Sequence, residues 1–310
     1  MAFCFKKKES VAKATRRLGR NRIEHALECL KSCDRAEAIH CARKDIKKMR
    51  AVLRLVRGEI PKRRCRRITT RLQEAAGHLA PPRDAYVKAR TLKNLAQHFK
   101  GQLAPGALRH VRSDLHNDLD KEMRRFANKK SIGRVVRILR DVEKKSDRLK
   151  VGGNGWSTLA PGVKRAYAEG QHAFRVAQRD AAPENFHQWR KRAKDLWYQV
   201  TLLRRLWPEQ MEALAHELEE LGECLGDDHD LAVMQQALGD KQPTSDASAR
   251  ELETLKGLID ERQHELRVAA LALGSRFYAE KPSAFCNRLA AYWRIWRREK
   301  KPGIEAVSSQ

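Results

Sequence analysis

One motif occurs twice in this chain of 310 residues, once in each half. Residues 38–49 read AIHCARKDIKKM and residues 185–196 read NFHQWRKRAKDL, with His40 and His187 placed 147 positions apart. Both copies run apolar–His–x–x–Arg–Lys–x–x–Lys, and further matches at nearly the same offset flank them. Such agreement predicts that the chain folds from two tandem copies of one structural unit.

Good helix formers dominate both copies, and the alternation of apolar and polar residues typical of strands is almost absent. The fold class predicted is all-α, with two pseudo-symmetric helical bundles of about six helices each. The Gly-rich segment 150–158 should be a linker between a first bundle at 5–149 and a second at 159–300. Between Gly and Pro breakers we predict helices at 8–31, 36–58, 62–79, 84–99, 107–127, 131–147, 162–180, 184–207, 209–225, 228–238, 246–279 and 283–300.

Each motif helix carries two stripes of residues at steps of three and four. The apolar stripe should face the core, with Ile39, Ala42, Ile46, Met49, Leu53 and Val56 in the first copy and Phe186, Trp189, Ala193, Leu196, Val200, Leu203 and Trp207 in the second. The adjacent stripe is basic, and further basic residues lie on the helix that precedes each motif. The candidate binding residues are therefore Lys13, Arg16, Arg17, Arg20, His40, Arg43, Lys44, Lys47, Lys48, Arg50, Arg54, Arg57, Lys164, Arg165, His187, Arg190, Lys191, Lys194, Tyr198 and Arg204.

The charge of the chain indicates what these stripes bind. The chain has 65 Lys and Arg against 39 Asp and Glu, and residues 1–72 alone hold 23 basic and 7 acidic residues. Like charges on one helix face repel one another, so a polyanion that neutralises them explains the stripes better than ordinary solvated surface does. Aromatic residues make up only 6% of the chain, and the core-like spacing of Trp189, Trp207, Trp293 and Trp296 favours packing over base stacking. Arg, Lys and His suit phosphate oxygens, so the expected ligand is rich in phosphate and poor in bases.

Several other classes of protein and site are disfavoured. No apolar run approaches the ~18 residues of a membrane span, and the basic N-terminal segment does not resemble an export signal, so we expect a cytoplasmic protein with seven free cysteines. Cys29, Cys33, His40 and Cys41 could be imagined as a zinc set, but their spacing is not that of paired CxxC knuckles. Metal binding at His40 or His187 is opposed by the neighbouring cations, while a buried structural role for either histidine stays open.

The cluster 227–230, which reads DDHD, is a second candidate for a metal site. Its counterpart in the first half, 81–84, reads PPRD and retains only the final Asp. The shared residues Asp84 and Asp230 are therefore predicted to cap helices, or to pair with a basic helix, rather than to hold an ion. A regulatory or partner surface is the remaining alternative. No catalytic motif stands out, so we predict neither an enzyme nor a cofactor.

The twin His-x-x-Arg-Lys-x-x-Lys strings, the repeated helices and the Arg83-Asp84 and His229-Asp230 pairs resemble the CHAD family, the conserved-histidine α-helical domain. The resemblance covers roughly residues 5–300 and implies helical bundles around a basic central groove that binds inorganic polyphosphate. The family's basic residues fall on His40, Arg43, Lys44 and Lys47, and on His187, Arg190, Lys191 and Lys194. The second copy departs from the first at Asp195 and Trp197, which makes it less basic. Members sometimes follow a CYTH triphosphatase domain, but we expect a stand-alone member.

The function predicted is non-catalytic binding of polyphosphate, with granule-associated proteins as possible partners and polyphosphate granules as the expected location. One alternative is a non-specific nucleic-acid or nucleoid protein that uses the same basic residues. A second alternative is a metal-dependent phosphohydrolase or its regulatory subunit.

Overall fold

The computed structural model describes residues 3–32, 34–104, 106–127, 129–239 and 245–299. In this part of the chain there are eleven α-helices, one short 3₁₀ turn at Arg57–Glu59 and no strand. None of the described helices has the length and apolarity needed to cross a membrane. The helices are α1 (Val11–Cys29), α2 (Arg35–Leu55), α3 (Lys62–His78), α4 (Ala80–His98), α5 (Arg109–Phe126), α6 (Lys129–Asp147), α7 (Trp156–Arg179), α8 (Pro183–Leu202), α9 (Pro208–Gly239), α10 (Asp246–Phe277) and α11 (Pro282–Arg298).

The all-α prediction is confirmed, but two predicted boundaries are wrong. Helix α9 continues through Gly226, where we predicted a break between two helices. A glycine inside a helix costs only about 1 kcal/mol relative to Ala, and Leu225 and Leu231 are both buried on either side of it. Helix α7 begins at Trp156, inside the predicted linker, and contains Pro161. The Trp156 ring packs 6.0 Å from that of Trp293, so tertiary packing outweighs the local cost of the proline.

The apolar stripes of both motif helices lie in the core with one exception. Ile46 of α2 and Leu196 of α8 are 1% and 0% exposed, and the other members from Ile39 to Leu203 are also buried. Trp207 is 46% exposed, so its assignment to the core is wrong. It lies beyond the end of α8, immediately before α9, where the helical register no longer sets its direction.

Two hydrophobic cores hold the helices together, and each contains residues from both sides of the linker. The large core combines α1, α2, α3 and α6 with α7, α8, α11 and the first half of α9. The small core joins Leu92 and Leu95 of α4 and Val111 of α5 to Met234 of α9 and Ile259 of α10. The packing of the helices thus does not follow the two halves of the sequence. The domain boundary predicted at 150–158 stays a prediction.

The motif helix α2 is crossed at very close range by α7. A Cβ atom placed on Gly162 would lie 2.1 Å from the backbone oxygen of Leu55, so only glycine permits this approach.

Replacing Gly162 with Ala should therefore lower the free energy of unfolding by about 3 kcal/mol, because the backbone of α2 cannot yield as a flexible side chain would. Urea denaturation measures this change. Gly257→Ala is the control, because a Cβ there meets nothing within 4 Å, and it should be neutral or stabilise by up to ~1 kcal/mol. A Gly162→Ala variant as stable as wild type would mean that α2 and α7 do not cross at this point.

The cysteines differ from the expectation of free thiols throughout. Cys29 of α1 and Cys41 of α2 form a disulfide, so that prediction is wrong for this pair. Cys4, Cys65, Cys224 and Cys286 carry free thiols, as predicted. Cys33 lies outside the described residues.

Candidate anion-binding site

Basic side chains from four helices converge where the large and small cores meet. Helices α2 and α8 contact each other, α4 packs on α9, and α2 also contacts α4. We refer to the residues that meet there as the central basic cluster, which consists of His40, Arg43, Lys44 and Lys47 of α2, Arg83 of α4, His187, Arg190, Lys191 and Lys194 of α8, and His229 of α9.

The pKa of Lys47 indicates the electrostatic character of this cluster. Its side chain reaches solvent, yet its pKa falls to about 8. Surrounding protein atoms disfavour the charged form, and repulsion from Arg190, Arg43, Lys194 and Arg83 adds a smaller part of the shift. Such a lowered pKa indicates that the ammonium group of Lys47 is incompletely hydrated and lies among other positive charges. An anion bound beside it would relieve this repulsion.

Packing holds several of these cations in place. Arg43 Nη1 donates a hydrogen bond of 2.9 Å to the backbone oxygen of Ala76, which leaves its remaining donors for other partners. The Lys194 ammonium lies 5.4 Å from the centre of the Trp197 ring. A Cβ on Gly222 would come within 3.0 Å of Lys194 Nζ, so a larger residue there would displace the lysine. The site is therefore partly preorganised.

The three histidines of the cluster favour the neutral form. The rings of His187 and His229 stack with centroids 4.1 Å apart. Burial and the neighbouring cations lower the pKa of His40 and His187, and they lower that of His229 to about 3. At neutral pH these imidazoles can serve as hydrogen-bond donors or acceptors but add little charge.

Some of the predicted basic residues form ion pairs, whereas central members of the cluster do not. Among the described residues, no carboxylate lies within ion-pair distance of Lys47, Arg190 or Lys194. Outside the cluster, by contrast, Arg54 of α2 pairs with Asp195 of α8. Arg192, next to Asp195, lies 2.9 Å from Glu169. Within the central basic cluster, several cations from different helices therefore lie close together without direct neutralisation.

The basic residues of α1 are directed elsewhere. Arg17 lies 2.7 Å from Glu9 and Arg20 lies 2.8 Å from Asp147. Arg16 donates to the backbone oxygen of Leu149 at 3.2 Å, while Lys13 is exposed. These contacts join α1 to the N-terminal segment and to the end of α6, so the structure does not bring the α1 residues into the cluster.

The remaining candidate binding residues lie in other parts of the structure. Arg57 and Arg165 line a small recess beside Arg54, Lys48 lies over the Phe3 ring, and Lys164 is exposed. Arg50 is partly buried and its Nε has no hydrogen-bond partner in the described structure. Tyr198 is buried, with its pKa raised to about 12 by burial, and Arg204 is partly buried near the end of the motif helix. The structure therefore concentrates the candidate site on fewer residues than the sequence indicated.

Asp84 and Asp230 do not cap helices, and that prediction is wrong. The N-cap of α4 is Leu79, which lies before Asp84 and makes no side-chain capping bond, and Asp230 lies within the continuous helix α9. Both carboxyls border the cluster, where burial raises their pKa while nearby arginines oppose the shift. Asp228 has a separate role, since it is buried and lies 2.7 Å from Arg267 Nε of α10.

Two members of the cluster were not among the candidates. Arg83 and His229 occupy matching places in the two copies, in the aligned segments 79–84 and 225–230. The alignment of these two segments was the sequence signal that could have identified them. Arg90, about two turns beyond Arg83 in α4, also acts electrostatically on His40, Arg83 and Asp227.

Comparisons with known proteins agree with this architecture. A family model described as the CHAD domain matches residues 15–239. A crystal structure of the CHAD domain from the plant Ricinus communis superposes with a TM-score of 0.67 at 16% identity, covering 90% of this chain and 95% of that one. PptA from Streptomyces chartreusis matches with a TM-score of 0.63 at 15% identity, covering 88% of this chain and 100% of that one. No curated protein sequence matches the chain.

Proposed function

Because this chain belongs to the CHAD domain family, we propose that it binds inorganic polyphosphate, without catalysis, in the central basic cluster. Binding of polyphosphate is consistent with membership of this family. Binding of this kind would place the protein on polyphosphate granules in the cytoplasm, where granule proteins are its further partners.

The observation that carries the proposal is the concentration of unpaired cations at one place. Arg17, Arg20, Arg54 and Arg192 have carboxylate partners, whereas burial together with the neighbouring cations lowers the pKa of Lys47 to about 8. A linear polyanion would neutralise several of them at once.

The dimensions of the cluster favour a chain of phosphates over a single ion. From His40 to Lys47 the cluster follows α2 for seven residues, which is about 10 Å at the helical rise. Lys191 and Lys194 extend it along α8. A single inorganic phosphate could contact only part of this surface, so affinity should increase with chain length until the surface is filled.

A competition assay tests the proposal against its alternatives. The labelled ligand is a polyphosphate of defined length, and the competitors are unlabelled polyphosphate, duplex DNA, single-stranded RNA and inorganic phosphate. We expect polyphosphate to compete best, with no phosphate released over hours in the presence of Mg²⁺. Stronger competition by DNA or RNA would favour a nucleic-acid protein, and metal-dependent release of phosphate would favour a phosphohydrolase.

The affinity for polyphosphate should depend steeply on salt. If about five to eight cations contact phosphates, the logarithm of affinity should fall linearly with the logarithm of salt concentration, with a slope between about −3 and −6, by analogy with single-stranded nucleic acid. Fluorescence anisotropy at several KCl concentrations measures the slope. A slope near zero would rule out binding through the cluster's charges.

The affinity should also fall as pH rises above 8. The pKa of Lys47 is about 8 in the free protein, and a bound anion raises it, so binding takes up a proton between pH 8 and the ordinary lysine pKa near 10.5. If the ordinary value is fully restored, affinity should drop by up to ~30-fold between pH 7 and pH 9.5. The Lys47→Arg variant keeps its charge throughout this range and should lose much less. An equal loss in both proteins would mean that Lys47 does not contact the ligand.

A further inference from the structure

Four side chains on α1 and α2 converge outside the central basic cluster. His25 and Cys29 lie one turn apart on α1, and Cys41 and Asp45 lie one turn apart on the facing helix α2. Their nitrogen, sulfur and carboxylate oxygen atoms all lie within 4.8 Å of one another. His25 Nδ1 is 3.7 Å from each of the two sulfur atoms and 2.5 Å from Asp45 Oδ2.

This donor set matches the preferences of zinc. Zn²⁺ binds thiolate, imidazole and carboxylate ligands with tetrahedral geometry, at bond lengths of about 2.0–2.3 Å. The ligand atoms of such a tetrahedron are separated by roughly 3.3–3.8 Å, which is the spacing between His25 Nδ1 and both sulfurs. Two ligands from each helix reach the site, so the backbone can stay as it is while the side chains adjust.

The surroundings of Asp45 suit a ligand role. Asp45 is 2% exposed, and its Oδ1 accepts a hydrogen bond of 3.0 Å from Arg22 Nη1, while Oδ2 points towards His25. Such contacts orient a carboxylate ligand. Two thiolates and one carboxylate around Zn²⁺ leave one negative charge, which Arg22 would balance. His25 is about half exposed, so an ion can enter from solvent.

The second half of the chain offers a built-in comparison. At the offset of 147 residues, the counterparts of His25, Cys29, Cys41 and Asp45 are His172, Val176, Gln188 and Arg192. Only the histidine is retained, and Arg192 pairs with Glu169 instead. The repeated fold does not require the four side chains, so their convergence in the first half calls for a separate explanation.

We propose that reduction of the Cys29–Cys41 disulfide opens a Zn²⁺ site formed by His25, Cys29, Cys41 and Asp45. A dithiol reductant supplies two electrons and two protons, the S–S bond breaks to give two thiols, and the reductant becomes a disulfide. Zn²⁺ then displaces the two thiol protons and binds the thiolates. Oxidation and metal binding exclude each other, so the junction of α1 and α2 is closed either by a disulfide or by zinc. The site keeps Cys29 and Cys41 of the zinc set considered from the sequence, but it takes His25 and Asp45 in place of Cys33 and His40.

Metal titration of the full chain tests this proposal. Protein treated with a dithiol reductant is freed of it anaerobically and titrated with Zn²⁺ against a chromophoric chelator, and Co²⁺ serves as a spectroscopic substitute. We expect one equivalent of Zn²⁺ in reduced protein and none in oxidised protein. The Co²⁺ form should show the intense visible bands of a tetrahedral site and a thiolate charge-transfer band.

Variants locate the ion. Cys41→Ser and His25→Ala should each lower Zn²⁺ affinity at least tenfold, whereas Cys65→Ser and His172→Ala serve as matched controls and should leave it unchanged. His25 and His172 are both exposed, so neither alanine variant should disturb the fold, and circular dichroism confirms the helix content. The proposal fails if reduced wild type takes up no metal, if oxidised protein binds it equally well, or if His25→Ala and Cys41→Ser bind as wild type does.

Discussion

Reversing the charge of Arg190, Lys191 and Lys194 to Glu should lower polyphosphate affinity by more than tenfold, which corresponds to at least about 1.4 kcal/mol. The same reversal at Arg43, Lys44 and Lys47 should have a comparable effect. Each triple variant changes the charge of the central basic cluster by six units while leaving the buried stripes intact. Fluorescence anisotropy with labelled polyphosphate measures the loss, and circular dichroism checks the fold.

A variant on α3 separates this local effect from a change in total charge. Arg63, Arg66 and Arg67 are exposed near the start of α3, whereas Arg43 contacts this helix at Ala76, about ten residues or 15 Å further along. Reversing all three to Glu alters the net charge equally. We expect this control to lose much less affinity, since exposed charges more than about 10 Å away are largely screened. If the control and the two cluster variants lose affinity equally, the ligand binds by general attraction to a basic protein and the proposed site is wrong.

The sequence and the structure lead to different expectations about which half of the chain contributes more to polyphosphate affinity. The count of charges favours the first half, because Asp195 makes the second motif less basic. In the structure Asp195 faces Arg54 of the other motif helix, and Arg190 acts electrostatically on Arg43, Lys47 and His229. We therefore expect the α8 triple variant to be at least as damaging as the α2 triple variant.

Placing a carboxylate in the apolar stripe should unfold the protein. Ile46 and Leu196 are 1% and 0% exposed, so Ile46→Asp or Leu196→Asp buries a charge that has no partner. We expect a loss of more than ~3 kcal/mol in the free energy of unfolding. Thermal and urea denaturation followed by circular dichroism measure it.

The control for these variants is Arg66→Asp, on the exposed face of α3, which should change stability by no more than ~0.5 kcal/mol. A Leu196→Asp protein that melts with the wild type would show that the stripe does not face the core, and the placement of the basic residues beside it would be wrong as well.

Much of the helical framework was predictable because its causes are local. A stripe of apolar residues at steps of three and four fixes which face of a helix is buried, and this reasoning placed Ile46 and Leu196 correctly. It was wrong at Gly226 and Pro161, where the burial of Leu225 and Leu231 and the packing of Trp156 on Trp293 outweigh the local preference for a break. It was also wrong at Trp207, which lies outside the helix whose period it was assumed to follow.

The candidate site was predictable only in part, because charge neutralisation depends on contacts between distant segments. From the sequence alone, the repeated motif and its basic stripes indicated a helical protein with a polyanionic ligand. The sequence did not show which cations would be paired, since Arg54 and Asp195 are 141 positions apart and meet only in the folded chain. Nor did it show that Cys29 and Cys41 face each other across α1 and α2. Helical periodicity determines on which face of its own helix a side chain lies. The packing of that helix against the others determines which residues the side chain contacts.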